Sequence, residues 1–110
     1  MDAEELLERY NAGERDFSGV DLSRANLSGA NLSAANLSAA ILWGTDLRDA
    51  NLSGADLNRA DLRVSRMEGV NLQDTNLKGA NWHGAEMYGA FFCNTVMPDG
   101  DIVAEPNWLE

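Results

Sequence analysis

Large apolar residues occupy every fifth position from Phe17 to Met97: nine leucines in succession from Leu22 to Leu62, then Met67, Leu72, Leu77, Trp82, Met87 and Phe92, with Phe17 and Met97 at the two ends. Two residues before each centre stands a small residue, usually alanine, as at Ala25, Ala30, Ala35 and Ala40. An Asn or Asp precedes most centres and a Ser often follows, as in Asn26-Leu27-Ser28. A strict period of five matches neither the helical repeat of about 3.6 nor the strand repeat of about 2, and so predicts a solenoid of stacked units sharing one apolar column. The run of seventeen units has no insertion.

The flanks follow other rules. Residues 2–12 predict a short helix: Asp2 and Glu5 have capping-box spacing, Leu6, Leu7 and Tyr10 form a stripe, and Gly13 is placed to stop it. Such a helix would cover the first coil, whose core and strand edge are otherwise open. Residues 98–110, PDGDIVAEPNWLE, break the repeat; Pro98 and Pro106 lack an amide to donate, and Asp99-Gly100 signals a turn. Ile102, Val103, Trp108 and Leu109 are expected to fold back over the last coil. Phe91 stands where Asn or Asp is usual, and the tail is its expected cover, with a dimer contact as the alternative. The expectation is one domain over 1–110, with a helical cap (1–14), repeats (15–99) and a C-terminal tail (100–110).

The units A-N-L-S-G, A-N-L-S-A and A-D-L-N-R resemble those of the pentapeptide-repeat family. The resemblance implies an all-β solenoid: a right-handed quadrilateral β-helix of about four coils, four units to the coil, with small and large apolar residues facing inward. Residues twenty apart then stack. Inward Thr45 and Ser65 fall in one column and Thr75 and Thr95 in another, where each pair is expected to hydrogen-bond internally. Outward, Arg48 stacks beside Glu68, Arg66 falls between Asp46 and Glu86, and Asn31, Asn51 and Asn71 form a ladder.

Charge narrows the partners. The formal net charge is -10, which opposes binding to a phosphate backbone. The repeats hold nine acids and six bases, so the acidity gathers at the two ends. Cys93 is the only cysteine, which fits a reducing compartment. The acidic start MDAEELLERY lacks the pattern of a signal peptide, and no apolar run is long enough to span a bilayer. A cytoplasmic protein without membrane or nucleic-acid contact is expected.

Catalytic chemistry lacks ligands and bases. His83, the only histidine, faces outward without a second His or a Cys beside it, and Cys93 falls on a different face. Glycines recur at unit boundaries as turn residues, not as a phosphate loop. No enzyme activity, cofactor or metal is expected. The departure with most functional content is Ile41-Leu42-Trp43, which puts Ile for Asn/Asp and Trp for Ser at outward positions. Val64 and His83 lie on the same side one and two coils on, with Arg63 next to Trp43. Ile41, Trp43, Arg63, Val64 and His83 therefore form a candidate interaction surface. Stacking of Trp43 over Arg63 is the competing structural role. Phe91, Trp108 and Leu109 are candidates for an end-to-end contact, although a monomer is expected ahead of a dimer through the C-terminal coil.

Two functions from different classes are compatible with these features. The first is a non-enzymatic structural or protein-interaction module with an unidentified protein partner. The strong SGANL regularity, LLERYNAGERDFSG and MPDG resemble the small members of the family, many of which have no assigned biochemical activity. The alternative is a DNA mimic that binds and inhibits or protects a type II topoisomerase, as longer, dimeric members of the family do. Arg24, Arg59, Arg63 and Arg66 interrupt the acidic stripe that such mimicry needs.

Overall fold

The computed structural model describes residues 1–110. Regular backbone pairing joins each outward Asn/Asp position to the residue twenty places on, in a parallel ladder that runs from Asp16↔Asn36 to Asn76↔Val96. From Phe17 to Leu77 each centre amide donates to a carbonyl in the coil above, as Leu22 does to Ile41 (2.8 Å) and Leu42 to Asp61 (2.8 Å). The preceding residue donates to the coil below, as Ile41 does to Val20 (2.8 Å). Twenty residues therefore make one coil, and four five-residue units make its four sides. Each side contributes a single bridging residue, because a turn follows at once.

The turns explain the period. At each corner the alanine amide donates back to the leucine carbonyl, as Ala25 does to Leu22 at 3.0 Å. The residue before that alanine has φ near +60°, whether or not it is glycine; Arg24, Ala34, Asp49 and Asn94 are examples. This is the pattern of a type II turn. The outward Asn/Asp holds the other half of the corner. Its side-chain oxygen accepts the amide two residues on, from Asp16–Ser18 (3.1 Å) to Asn81–His83 (3.1 Å). Asn and Asp suit that position because only their short side chains reach this amide.

The leucines from Leu22 to Leu62 are buried in one stack with Phe17 at its foot. At these positions burying each side chain is worth about 1.5–3 kcal/mol. Helix α1 (Ala3–Asn11) closes the lower end, with Asp2 as N-cap accepting the Glu5 amide at 2.8 Å. Glu5 does not complete a capping box; its carboxylate pairs with Arg9 at 2.7 Å. Leu6 and Tyr10 are buried against the stack, and the Tyr10 hydroxyl donates to the Ser33 carbonyl at 2.7 Å.

Thr45, Ser65, Thr75 and Thr95 are buried as expected from their inward columns, but their hydroxyls do not pair with one another. Thr45, Thr75 and Thr95 donate to the carbonyls of Leu22, Leu52 and Leu72 in the coil below (2.8, 2.7 and 2.6 Å), and Ser65 donates to Leu62 within its own turn (2.7 Å). A corner carbonyl has a second lone pair directly beneath the hydroxyl, which is a nearer acceptor than a neighbouring side chain.

The upper end is closed differently. After the turn at Pro98–Gly100, the Met97 amide donates to the Asp101 carbonyl (2.7 Å) and the chain reverses. Strands β1 (Phe91–Phe92) and β2 (Thr95–Val96) of the last coil pair antiparallel with β4 (Asn107–Trp108) and β3 (Ile102–Val103), respectively. Backbone pairing dominates this cap, because Ile102 and Trp108 stay exposed at 66% and 61%. No helix is long and apolar enough to cross a membrane.

Leu52→Ala is expected to cost about 2–5 kcal/mol, because the shaft cannot collapse around the cavity. Ser53→Ala, on the surface one residue on, is expected to change stability by less than about 0.5 kcal/mol. Urea midpoints of the two variants check the contrast.

Candidate interaction surface

One side of the solenoid carries, coil by coil, Asp21-Leu22-Ser23-Arg24, Ile41-Leu42-Trp43-Gly44, Asp61-Leu62-Arg63-Val64 and Asn81-Trp82-His83-Gly84. The five sequence-predicted surface residues therefore do share a side. Ile41 and Val64 are exposed at 40% and 45%, Arg63 and His83 are exposed, and Trp43 is half-buried.

The cation on Trp43 is not the expected one. The Arg24 guanidinium, one coil below, lies 4.9 Å from the Trp43 ring centre. Arg63 turns to its own unit instead and binds Asp61 with both arms of its fork, Nε to Oδ1 at 2.9 Å and Nη2 to Oδ2 at 2.8 Å. A bidentate, charge-assisted pair outcompetes an exposed cation–π contact worth about 0.5–1 kcal/mol. Gly44 is stacked directly above Arg24, and a Cβ there would lie in ordinary contact with the Arg24 Cγ, at 3.5 Å. Sequence reading treated Arg24 only as a break in an acidic stripe, although its place one coil below Gly44 and at the corner next to Trp43's column was available from the period.

The next side repeats this local pairing. Arg48 binds Asp46 (2.7 Å) and Arg66 binds Glu68 (2.9 Å), so both arginines pair within their own unit rather than between coils. Asp46 and Arg66, and Arg66 and Glu86, are stacked neighbours in the ladder. Hydrogen bonds from the Arg63 and Arg48 side chains hold the Asp61 and Asp46 carboxyls below the usual aspartate range, against a smaller opposing effect of burial.

Two residues of the surface break local rules. Ile41 cannot accept the amide two residues on, so the Trp43 N–H has no acceptor within the chain. Val64 is β-branched yet sits at a left-handed corner with φ of 49°. Such backbone strain costs of order 1–3 kcal/mol. Gly84 above makes room for it, since a Cβ at that position would lie 3.1 Å from Val64 Cγ1. The His83 amide donates to Asn81 and its ring stands exposed. Nowhere do three or more His, Cys, Asp or Glu side chains gather as metal ligands would.

At the upper end Phe91 is half-buried under Trp108, ring centres 4.7 Å apart, and the Leu109 amide donates to Ala90 at 2.9 Å. The three residues expected at an end-to-end contact thus meet within one chain. Sequence reading passed over Tyr88, the most exposed of the large apolar side chains at 73%.

The pentapeptide-repeats family model matches residues 16–54, 30–69 and 65–97, with eight copies. Among solved structures, HetL, a pentapeptide repeat protein involved in heterocyst differentiation regulation from the cyanobacterium Nostoc sp. strain PCC 7120, is 39% identical over 79% of this chain and 42% of its own, with a TM-score of 0.47. The pentapeptide repeat protein alr5209 from Nostoc PCC 7120 is 38% identical over 81% of this chain and 78% of its own, with a TM-score of 0.50. QnrB1, a plasmid-mediated fluoroquinolone resistance protein, is 24% identical over 74% of this chain and 49% of its own, with a TM-score of 0.49. The chain thus spans less than half the length of HetL and QnrB1. No functionally curated protein sequence matches it.

Two outcomes follow. The carboxyls of Asp46 and Asp61 are depressed in the fold, so their contribution is present above the unfolded value of about 3.9 and is lost as pH falls through the folded one. Asp46→Asn/Asp61→Asn is expected to be less stable at neutral pH and to lose stability less steeply below about pH 4; urea midpoints across that range check the slope. Val64→Gly relieves the corner and is expected to stabilise by about 1 kcal/mol, a rise of several degrees in melting temperature.

Proposed function

The chain belongs to the pentapeptide-repeat family, whose members form right-handed quadrilateral β-helices, and on that premise we propose that it is a non-enzymatic protein-interaction module whose partner docks on the side bearing Trp43. The observation that carries the reading is the cost of that side to the fold. Ile41 gives up a turn-closing hydrogen bond and Val64 strains a corner, and neither gains burial in return. Local rules broken without structural compensation favour a role outside the monomer. Exposed Ile41 and Val64 beside a half-buried Trp43 with a stacked arginine have the composition of an interface centre. A rigid scaffold supports such a role, because little conformational freedom is lost on binding.

The proposed partner is a protein, not a nucleic acid or membrane, and the proposed location is the cytoplasm, in keeping with the single unpaired Cys93. Duplex mimicry towards a topoisomerase is less well supported. Arg48, Arg63 and Arg66 each neutralise an outward carboxylate, which leaves no continuous acidic stripe.

The reading is checked by affinity capture from native lysate with wild type and Ile41→Asn/Trp43→Ser as paired baits. The double variant restores the usual Asn and Ser and is expected to keep the fold while losing a specific protein, with at least tenfold weaker affinity for it once purified. Identical capture by both baits removes the Trp43 side from the function. Recovery of topoisomerase subunits promotes mimicry instead.

A further inference from the structure

The topmost coil ends without a partner strand on two of its four sides. One coil lower, the amides of Leu62, Val64 and Met67 donate upward to the carbonyls of Asn81, His83 and Glu86 at 2.7, 3.0 and 2.7 Å. The equivalent amides above, those of Trp82, Gly84 and Met87, have no acceptor in the chain. The carbonyls of Ala80 and Ala85 likewise receive no donor, whereas Ala60 and Ser65 beneath them accept from Asn81 and Glu86. β3 and β4 close only the other two sides. What remains is an open parallel edge with its apolar centres half-uncovered: Leu62 and Met67 are fully buried, but Trp82 and Met87 are not.

Beside that edge lies a cleft of about 360 Å3, lined by Trp82, Met97, Pro98, Asp99, Asp101 and Val103. One Asp99 oxygen accepts the Asp101 amide at 2.9 Å, while its second oxygen and the whole Asp101 carboxylate have no partner in the chain. An indole, apolar walls and two carboxylates fit an alkyl-stemmed cation.

We propose that this half-rim docks one extended, basic segment of another protein. The segment adds a strand to the edge and seats a lysine or arginine side chain in the cleft. Free donors and acceptors recur along two sides that meet at a corner, so the segment pairs through extended backbone on each side and bends between them, as the coil beneath does. Charge selects the partner. Residues 98–110 carry four acids and no base, so a basic strand is complementary. A second copy of this chain would bring the same acids together and is disfavoured. The site lies two coils above Trp43, meets that surface only at His83, and does not rest on the reading proposed there.

The probes are two capped peptides, acetyl-Lys-Val-Lys-Val-Lys-amide and its Glu-Val-Glu-Val-Glu counterpart, titrated into the isotope-labelled full chain. The basic peptide is expected to shift the amide resonances of Trp82, Gly84 and Met87 and to slow their hydrogen exchange. Asp99→Asn/Asp101→Asn, which keeps the turn acceptor at 99, is expected to weaken binding about tenfold. Ile41→Asn/Trp43→Ser is expected to bind as wild type, which separates this site from the Trp43 reading. No shift at the three amides, an equal response to the acidic peptide, or affinity indifferent to the aspartate variant overturns the proposal. So does a dimer of the chain alone in sedimentation, if the same amides are already protected from exchange in it without peptide.

Discussion

A shaft one side chain wide, closed by a turn every five residues, constrains every other feature of this molecule. Each leucine fills the space between four walls, and each corner beside it admits only a small inward residue, alanine most often and valine, serine or threonine elsewhere. Backbone bonds between coils run parallel to the shaft axis, so the same residue that places a leucine inward also ties its coil to the next. Apolar burial and hydrogen bonding are therefore not separable contributions here. A one-residue insertion would turn the following centres outward and misalign the ladder at once.

The same constraint frees the outer surface. Side chains immediately after the centre and at the corner hold no core position, so they vary at small cost. The Asn/Asp position is an intermediate case: it faces outward yet closes the turn through the amide two residues on. Replacing it with Ile41 has a structural cost that replacing a serine does not. That difference in cost gives the Trp43 side more weight than exposed apolar residues alone, which are common on any surface.

The ends need a second kind of solution. A stack can always accept another coil, so the lower end is covered by an amphipathic helix and the upper end by a reversed tail. The helix covers the apolar core of the lower coil, with Leu6 buried and Tyr10 anchored on Ser33, and leaves the amides of Asp21, Asn26 and Asn31 on its rim without acceptors in the chain. The tail is half a cover, because antiparallel pairing carries it across two sides only. An edge open on the other two sides is a template for pairing, and the acids beside it set the sign of what pairs.

The sequence by itself determined the period of five, the inward set and the helical cap; twenty residues to the coil, and with it the side shared by Ile41, Trp43, Arg63, Val64 and His83, came from the family resemblance. A fixed repeat is a one-dimensional rule, and one dimension is what a sequence supplies. Tertiary structure decided which partners the polar groups chose. Arg24 rather than Arg63 covers Trp43, because Asp61 offered Arg63 a bidentate partner two residues away. Thr45, Thr75 and Thr95 donate to leucine carbonyls in the coil below, because the backbone put a free lone pair nearer than any hydroxyl. The strain at Val64 and the open rim at Trp82 also belonged to three dimensions: the first is a backbone angle, and the second depends on where the tail turned. Such choices rest on energy differences of about 1 kcal/mol between competing neighbours, and no pattern of residue types resolves differences that small.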